Sequence, residues 1–165
     1  MSPDKPRIYL ETSVVSYLVG RPSRDVVTLG HQETTRAWWE SSLNIYEAYV
    51  SDLVYQEASR GDPNAASKRL KIIEDFPVLA ISDNAKRLAD LYVQGIPLPV
   101  KASADALHMA VATLNKMDYV VTWNCVHIAH GRVKRRLEEI NQVHNLFVPM
   151  ICTPEELFYE DSSMD

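Results

Sequence analysis

The 165-residue sequence has little cysteine, no long apolar run and no excess of positive charge. Cys125 and Cys152 lie far apart and form no Cys/His set spaced for zinc, so we expect reduced, partly buried thiols. No stretch approaches the ~20 apolar residues of a membrane span, and no apolar signal core follows the basic N-terminus. We therefore predict a cytoplasmic protein without a membrane partner. The net charge of −5 argues against nonspecific coating of DNA.

The chain length fits one domain, which we place over residues 1–165, with a core of about 7–152 and a short helix and acidic tail at 153–165. Strand-type runs alternate with helical patterns, which include helices that begin at Asp62 and Ser82 and a polar helix from about Cys125 to His144. The predicted strands are 8–10, 46–50, 77–81, 119–122 and 147–152. This alternation predicts an α/β fold, a three-layer α/β/α sandwich whose central parallel sheet has about five strands. Sites in such folds form at the carboxyl ends of the strands.

Three acidic residues are predicted at that edge of the sheet. Glu11 directly follows the first strand, and Glu57 lies in a short helix after the second. Asp105 is the only formally charged residue between positions 102 and 115, in a helix so apolar that it must be largely buried. A buried carboxylate needs a partner or an ion. Singly, each acid also fits a structural role: first-turn acid for Glu11, cap for Asp105 and solvent-facing residue for Glu57.

Polar residues accompany these acids. Asn124, just after the fourth strand, could offer a carbonyl oxygen to a hard cation or simply end a turn. His108 could orient Asp105 from the next turn of its helix, or be a core histidine bonded to backbone. Asp52 is a rival carboxylate, better suited to the first turn of its helix. An all-oxygen carboxylate site suits Mg²⁺ or Mn²⁺, and such an ion can activate water against a phosphodiester.

The segments that carry these residues resemble those of PIN domains, and of VapC-type toxins in particular. They are residues 8–13 (IYLETS), 50–57 (VSDLVYQE), 105–110 (DALHMA) and 118–124 (DYVVTWN). The resemblance implies a PIN-like fold and a metal-dependent endoribonuclease that hydrolyses RNA. It also implies the toxin of a type II toxin–antitoxin pair, with a cognate antitoxin protein as partner and a homodimeric state.

Carried over by position, the resemblance makes Glu11, Glu57 and Asp105 the metal ligands and, together with Asn124, the catalytic residues. Glu11 stands where the family usually has aspartate, and a misplacement near 1 Å can cost about 100-fold in rate. Asn124 stands where many members have a fourth aspartate, so a negative charge is missing. The polar residues expected to support the site are Thr12, Ser13, Thr122 and His108.

A basic group from His127 to Arg136, directly after Asn124, is expected to hold the RNA backbone through Arg132, Lys134 and Arg135. With Glu138 and Glu139 nearby, the same segment is also typical of a solvated helix face. Two other functions are compatible with the sequence. One is an inactive PIN domain that binds RNA or protein without cutting. The other is a phosphotransfer or phosphatase domain, which would need an aspartyl nucleophile where Glu11 stands.

Overall fold

The computed structural model describes residues 4–158 and contains a five-stranded sheet in which every neighbouring pair is parallel. Its strands are β1 (Arg7–Leu10), β2 (Glu47–Ser51), β3 (Val78–Leu79), β4 (Tyr119–Val121) and β5 (Met150–Cys152). Their spatial order is β3-β2-β1-β4-β5. The predicted parallel sheet is confirmed, and β1 is its central strand.

The helices are α1 (Thr12–Val19), α2 (Val26–Ser42), α3 (Asp52–Ala58), α4 (Pro63–Ile73), α5 (Asp83–Gly95), α6 (Ser103–Leu114) and α7 (Gly131–Val143). Contacts among them join α1 to α2, α3 and α4, and separately join α5 to α6 and α7. The chain moves outward from β1 to β3, then crosses back to β4 and β5. Because crossovers between parallel strands are right-handed, the two groups cover opposite faces of the sheet. The predicted three-layer sandwich is confirmed.

The sequence explains where most helices begin. Side-chain oxygens at the helix starts accept hydrogen bonds from backbone N–H groups of the first turn, in Glu11, Asp25, Ser51, Asp62 and Ser82. Such caps satisfy donors that have no partner inside the helix. Ile8, Tyr9 and Leu10 of β1 are fully buried, as expected for a central strand covered on both faces. The sheet therefore holds the ends of β1, β2 and β4 in a fixed relation.

The predicted helix over 125–144 is wrong at its start, because α7 begins at Gly131. Residues 125–128 form turns instead. The Asn124 side-chain oxygen accepts from the His127 backbone N–H, and its backbone oxygen accepts from Ile128 and Ala129. His130 then has extended backbone angles and caps α7. This turn segment brings His127 back toward the end of β4.

The cysteine prediction holds for Cys152, which is buried, and is wrong for Cys125, which is exposed on the turn segment. Burial raises the pKa of the Cys152 thiol to about 11. The predicted C-terminal helix is a 3₁₀ turn over Pro154–Leu157. Positions 159–165, with most of the predicted acidic tail, and positions 1–3 lie outside the described residues. Between residues 4 and 158, no helix is long and apolar enough to cross a membrane.

Candidate active site at the carboxyl end of the sheet

The fold brings the predicted acids to one edge of the sheet. Glu11 follows β1, Glu57 lies in the helix that follows β2, and Asp105 lies in the first turn of α6. The hydrogen bonds described below link each of them to the ends of β1, β2 or β4, and the negative charges of all three act on the buried ring of His108. All three carboxylates therefore lie within electrostatic range of His108, and Glu57 contacts it directly.

Glu11 is buried and its carboxylate is held by three donors. Its Oε2 accepts from the Ser13 backbone N–H at 2.7 Å, which caps α1. Its Oε1 accepts from the Ser13 hydroxyl at 2.7 Å and from the Thr122 hydroxyl at 2.6 Å. Ser13 and Thr122 in turn accept from the backbone N–H groups of Trp123 and Asn124. Glu11 thus ties the start of α1 to the end of β4.

Glu57 is held through one oxygen only. Its Oε1 accepts from the Thr12 hydroxyl at 2.7 Å and from His108 Nε2 at 2.6 Å. Partial burial, the largest single influence, would raise the pKa of this carboxyl, but the hydrogen bonds from His108 and Thr12 and the nearby positive charges together outweigh burial and lower the pKa. For His108, burial favours the neutral ring, yet the bond to Glu57 and the surrounding negative charges raise its pKa. These opposite pKa shifts favour the charged form of the Glu57–His108 pair.

His108 neither orients Asp105 nor bonds to backbone, so both predictions of its contacts are wrong. Its second ring nitrogen, Nδ1, lies 2.6 Å from the Tyr9 hydroxyl. That hydroxyl lies 2.8 Å from Ser51 Oγ, which also accepts from the Val54 backbone N–H. Tyr9 was not predicted as a site residue, because a tyrosine inside a buried strand is typical of the hydrophobic core.

Asp105 has two polar partners, and neither is a backbone group of its own helix. Its Oδ1 accepts from the Asn124 amide at 3.0 Å, and its Oδ2 lies 3.0 Å from His127 Nδ1. Its side chain is 20% exposed. His127 was predicted only as part of the basic group, because its approach depends on the turn segment before α7. The side-chain cap predicted as an alternative role for Asp105 is absent from the start of α6.

Asn124 contributes a donor to the site rather than an oxygen. Its Oδ1 accepts from the His127 backbone N–H at 3.0 Å, so its NH₂ group faces Asp105. The side chain thus both shapes the turn segment and holds Asp105. Its predicted part in catalysis stays a prediction, acting through Asp105 in this arrangement.

The predicted supporting residues Thr12, Ser13 and Thr122 all contact an acid directly. The predicted RNA-binding residues lie on α7, away from these contacts. Arg132 and Arg135 are exposed, and Arg135 pairs with Glu139 at 3.5 Å. Lys134 lines a cleft that also contains Cys152 and Glu156.

The three carboxylates differ in how much capacity their protein donors leave for a hard divalent cation. Within residues 4–158, no three His, Cys, Asp or Glu side chains are already grouped as ligands. Glu11 is fully engaged by its donors, whereas Glu57 Oε2 makes no hydrogen bond in this part of the chain and Asp105 is partly open to solvent. Mg²⁺ is commonly bound by one or two carboxylates together with water and substrate phosphate. Glu57 and Asp105 meet that description.

Comparison with known proteins rests on structure, because no family model and no curated protein matches this sequence. Among solved structures, VapBC2 from Rickettsia felis, bound to a DNA fragment from its promoter, is similar to this chain. It gives a TM-score of 0.55 at 12% identity over 89% of this chain and 98% of that one. VapC20 from Mycobacterium tuberculosis, a toxin that cleaves the sarcin–ricin loop, is also similar. It gives a TM-score of 0.57 at 17% identity over 72% of this chain and 91% of that one.

The chain has the PIN-domain fold. The likeness in three dimensions agrees with the resemblance in short motifs. At this level of identity the likeness establishes the architecture alone. In this PIN fold, the acids and their hydrogen-bonded partners occupy the carboxyl ends of the central strands, where the sequence predicted the site.

Proposed function

We propose that this chain is an endoribonuclease of the VapC toxin type that uses Mg²⁺ or Mn²⁺. The observation that carries the proposal is the convergence of three carboxylates from the β1–α1 junction, α3 and α6. Hydrogen bonds connect Asp105 to Glu11 through Asn124 and Thr122, and Glu57 to Thr12, the neighbour of Glu11. The PIN fold of VapC20, a toxin that cleaves the sarcin–ricin loop, supports the assignment to RNA. Chance placement would explain one acid at this edge more easily than three.

In this proposal Glu57 and Asp105 hold the cation, which would polarise the scissile phosphate and lower the pKa of a water molecule. Asp105 would present its open side while the Asn124 amide holds Oδ1. Glu57 would offer Oε2, because Thr12 and His108 occupy Oε1. The Asp105–His127 contact would have to open or rotate for the cation to reach Oδ2.

Glu11 keeps a place in the proposal as a third acid, although its donors restrict it. Its carboxylate turns back onto Ser13 and caps α1. We therefore expect Glu11 to act on the cation through its charge and by fixing the end of β4, more than by direct ligation. Replacing it should weaken both metal binding and folding.

The basic residues of α7 are proposed to contact the RNA backbone. Arg132 is the best placed of the predicted three, because it lies in the first turn of α7, directly after the segment that carries His127. Arg135 pairs with Glu139, so its charge is partly compensated, and Lys134 lines a cleft together with Glu156. Arg132→Ala should weaken RNA binding more than Arg135→Ala at equal salt concentration.

A cognate antitoxin and a homodimer are part of the same proposal. The likeness to VapBC2, which was crystallised on promoter DNA, supports looking for a protein partner. If the chain is a toxin, its expression should arrest growth, and co-expression of the partner should restore it. Sedimentation of the purified protein will report whether two copies associate.

The direct test is cleavage of a defined RNA with Mg²⁺, with Mn²⁺ and with a chelator. We expect cleavage with either ion, loss of cleavage with the chelator, and at least about a 100-fold loss in Asp105→Asn, equivalent to about 2.7 kcal/mol of barrier. Asp52→Asn is the matched control, because Asp52 is an exposed carboxylate at the same sheet edge. Absence of cleavage with both ions would contradict the proposal.

A second candidate function is an inactive PIN domain that binds RNA or protein. The engagement of all three carboxylates by protein donors favours it, as does the lack of a preformed three-ligand cluster within residues 4–158. RNA binding without Mn²⁺ binding in calorimetry would support this candidate over the nuclease.

A further inference from the structure

A continuous line of hydrogen bonds runs beneath the candidate site, from the β2–α3 junction to Glu57. The Val54 backbone N–H donates to Ser51 Oγ, and Ser51 Oγ lies 2.8 Å from the Tyr9 hydroxyl. The Tyr9 hydroxyl lies 2.6 Å from His108 Nδ1, and His108 Nε2 lies 2.6 Å from Glu57 Oε1. The line joins residues of β1, β2, α3 and α6 to a single carboxylate oxygen.

This line has almost no contact with solvent until it reaches Glu57. Tyr9 and Ser51 are 0% exposed and His108 is 1% exposed, whereas the Glu57 side chain is 23% exposed. A buried polar atom that loses its partner cannot turn to water, so each bond restricts the rotamer of the next side chain. Both ring nitrogens of His108 are used, which defines the orientation of the ring.

The line of hydrogen bonds restricts the position of the free oxygen of Glu57. A glutamate on a short helix would ordinarily sample several rotamers, and its carboxylate would spend little time in one place. Here Oε1 is held from two sides, by His108 and by Thr12. With Oε1 held, Oε2 is left on the open side of the carboxylate, without a hydrogen bond inside residues 4–158.

We propose that Tyr9 and His108 are positioning residues that hold Glu57 Oε1, through the Tyr9–His108–Glu57 line of hydrogen bonds, so that Oε2 is preset for a divalent cation. The inference rests on the proposed function, since it needs Glu57 to bind the cation. Partners that orient a ligand from behind typically change metal affinity by about 10–100-fold when they are removed.

A purely structural role for Tyr9 is the alternative, and the chain contains a matched control. Tyr92 is also fully buried, and its hydroxyl also bonds to two side chains, Thr113 at 3.0 Å and Asn141 at 2.5 Å. Its partners lie on the last turn of α6 and on α7, apart from the contacts of Glu57. Tyr92→Phe removes a comparable buried hydroxyl without touching the line to Glu57.

The experiment is calorimetric titration of Mn²⁺ into the full-length protein and its Tyr9→Phe and Tyr92→Phe variants, with thermal unfolding of each. We expect both variants to lose thermal stability, but only Tyr9→Phe to bind Mn²⁺ at least about 10-fold more weakly. Equal affinity in the two variants, with the wild-type protein binding Mn²⁺, would overturn the positioning role alone. A wild-type protein that binds no Mn²⁺ overturns the proposed metal site and this inference together.

A second pair of variants tests the same point if Tyr9→Phe does not fold. In His108→Gln the side-chain amide can replace Nε2 as the donor to Glu57, whereas the shorter amide of His108→Asn reaches only the position of Nδ1, toward Tyr9. Both are polar and differ by one methylene. We expect His108→Gln to retain the larger share of Mn²⁺ affinity; equal losses in the two variants would overturn the proposal.

Discussion

Two carboxylate–imidazole pairs stand side by side in this site, and they differ in burial more than in geometry. His108 and Glu57 are 2.6 Å apart with side chains 1% and 23% exposed, whereas His127 and Asp105 are 3.0 Å apart and 21% and 20% exposed. Both partners of the second pair reach solvent. In the first pair, by contrast, the His108 side chain does not reach solvent. The comparison indicates a fixed pair, Glu57–His108, and an exchangeable pair, Asp105–His127.

The difference follows from where each histidine comes from. His108 lies on α6, a helix packed against the sheet, and its far nitrogen contacts Tyr9 in the central strand. His127 lies in the turn segment between β4 and α7, where its backbone N–H donates to the side-chain oxygen of Asn124. Core packing leaves one arrangement for the first ring, while a turn at the surface leaves several for the second. A cation can therefore displace the second pair more easily.

Among the variants that distinguish the two pairs, His108→Ala should cause the largest loss of stability. This change leaves the Glu57 carboxylate and the Tyr9 hydroxyl without their buried partner, which in comparable buried pairs costs about 3–5 kcal/mol. We expect a loss of that size in the free energy of unfolding from urea titration. A loss below about 1 kcal/mol would mean that the buried pair contributes no more to the free energy of unfolding than a surface pair does.

The pH dependence of stability should depend on the same buried pair. The pKa of His108 is raised, so its contribution is fully present below the ordinary imidazole pKa and is lost as pH rises through the raised value. The pKa of Glu57 is lowered, so its contribution is present above the ordinary carboxyl pKa and is lost as pH falls through the lowered value. We expect a stability plateau between about pH 4.3 and pH 6.5.

Urea unfolding of the wild-type protein and of His108→Gln across this range will check that profile. The variant lacks the titrating ring, so its stability should fall less above the plateau. Parallel profiles above the plateau would show that His108 is not charged in the folded state, and would contradict the ion pair.

The smallest effect should come from His127→Ala. Its contact with Asp105 is partly exposed, and removal of such a pair typically costs about 0–1 kcal/mol. Because the change also frees Asp105 Oδ2, Mn²⁺ affinity should stay the same or increase. A loss of stability above about 2 kcal/mol, or weaker Mn²⁺ binding, would show that this pair is as fixed as the buried one.

The sequence predicted the framework well because its signals are local. The strand of Ile8–Leu10 followed by Glu11, and the capped starts of α4 and α5, depend on neighbouring residues alone. Asp105 stood out because it is a lone charge in an apolar helix. These features predicted that the acids come together at the carboxyl edge of the sheet, and the structure brings them together there.

The pairing of side chains could not be predicted, because it depends on contacts between distant segments. Tyr9 and His108 are 99 positions apart, and Asp105 and His127 meet only through an irregular turn. The periodic pattern of α7 extended the predicted helix over that turn and concealed His127. The orientation of the Asn124 amide likewise depends on the His127 backbone N–H, a contact that a residue pattern does not reveal.

The most direct test of the account is calorimetric titration of Mn²⁺ into the wild-type protein, Asp105→Asn and Asp52→Asn. If Asp105 and Glu57 share a cation, the wild-type protein and Asp52→Asn should bind about one ion with equal affinity, and Asp105→Asn should bind it at least about 10-fold more weakly. Equal binding by all three proteins, or binding by none, would contradict the account.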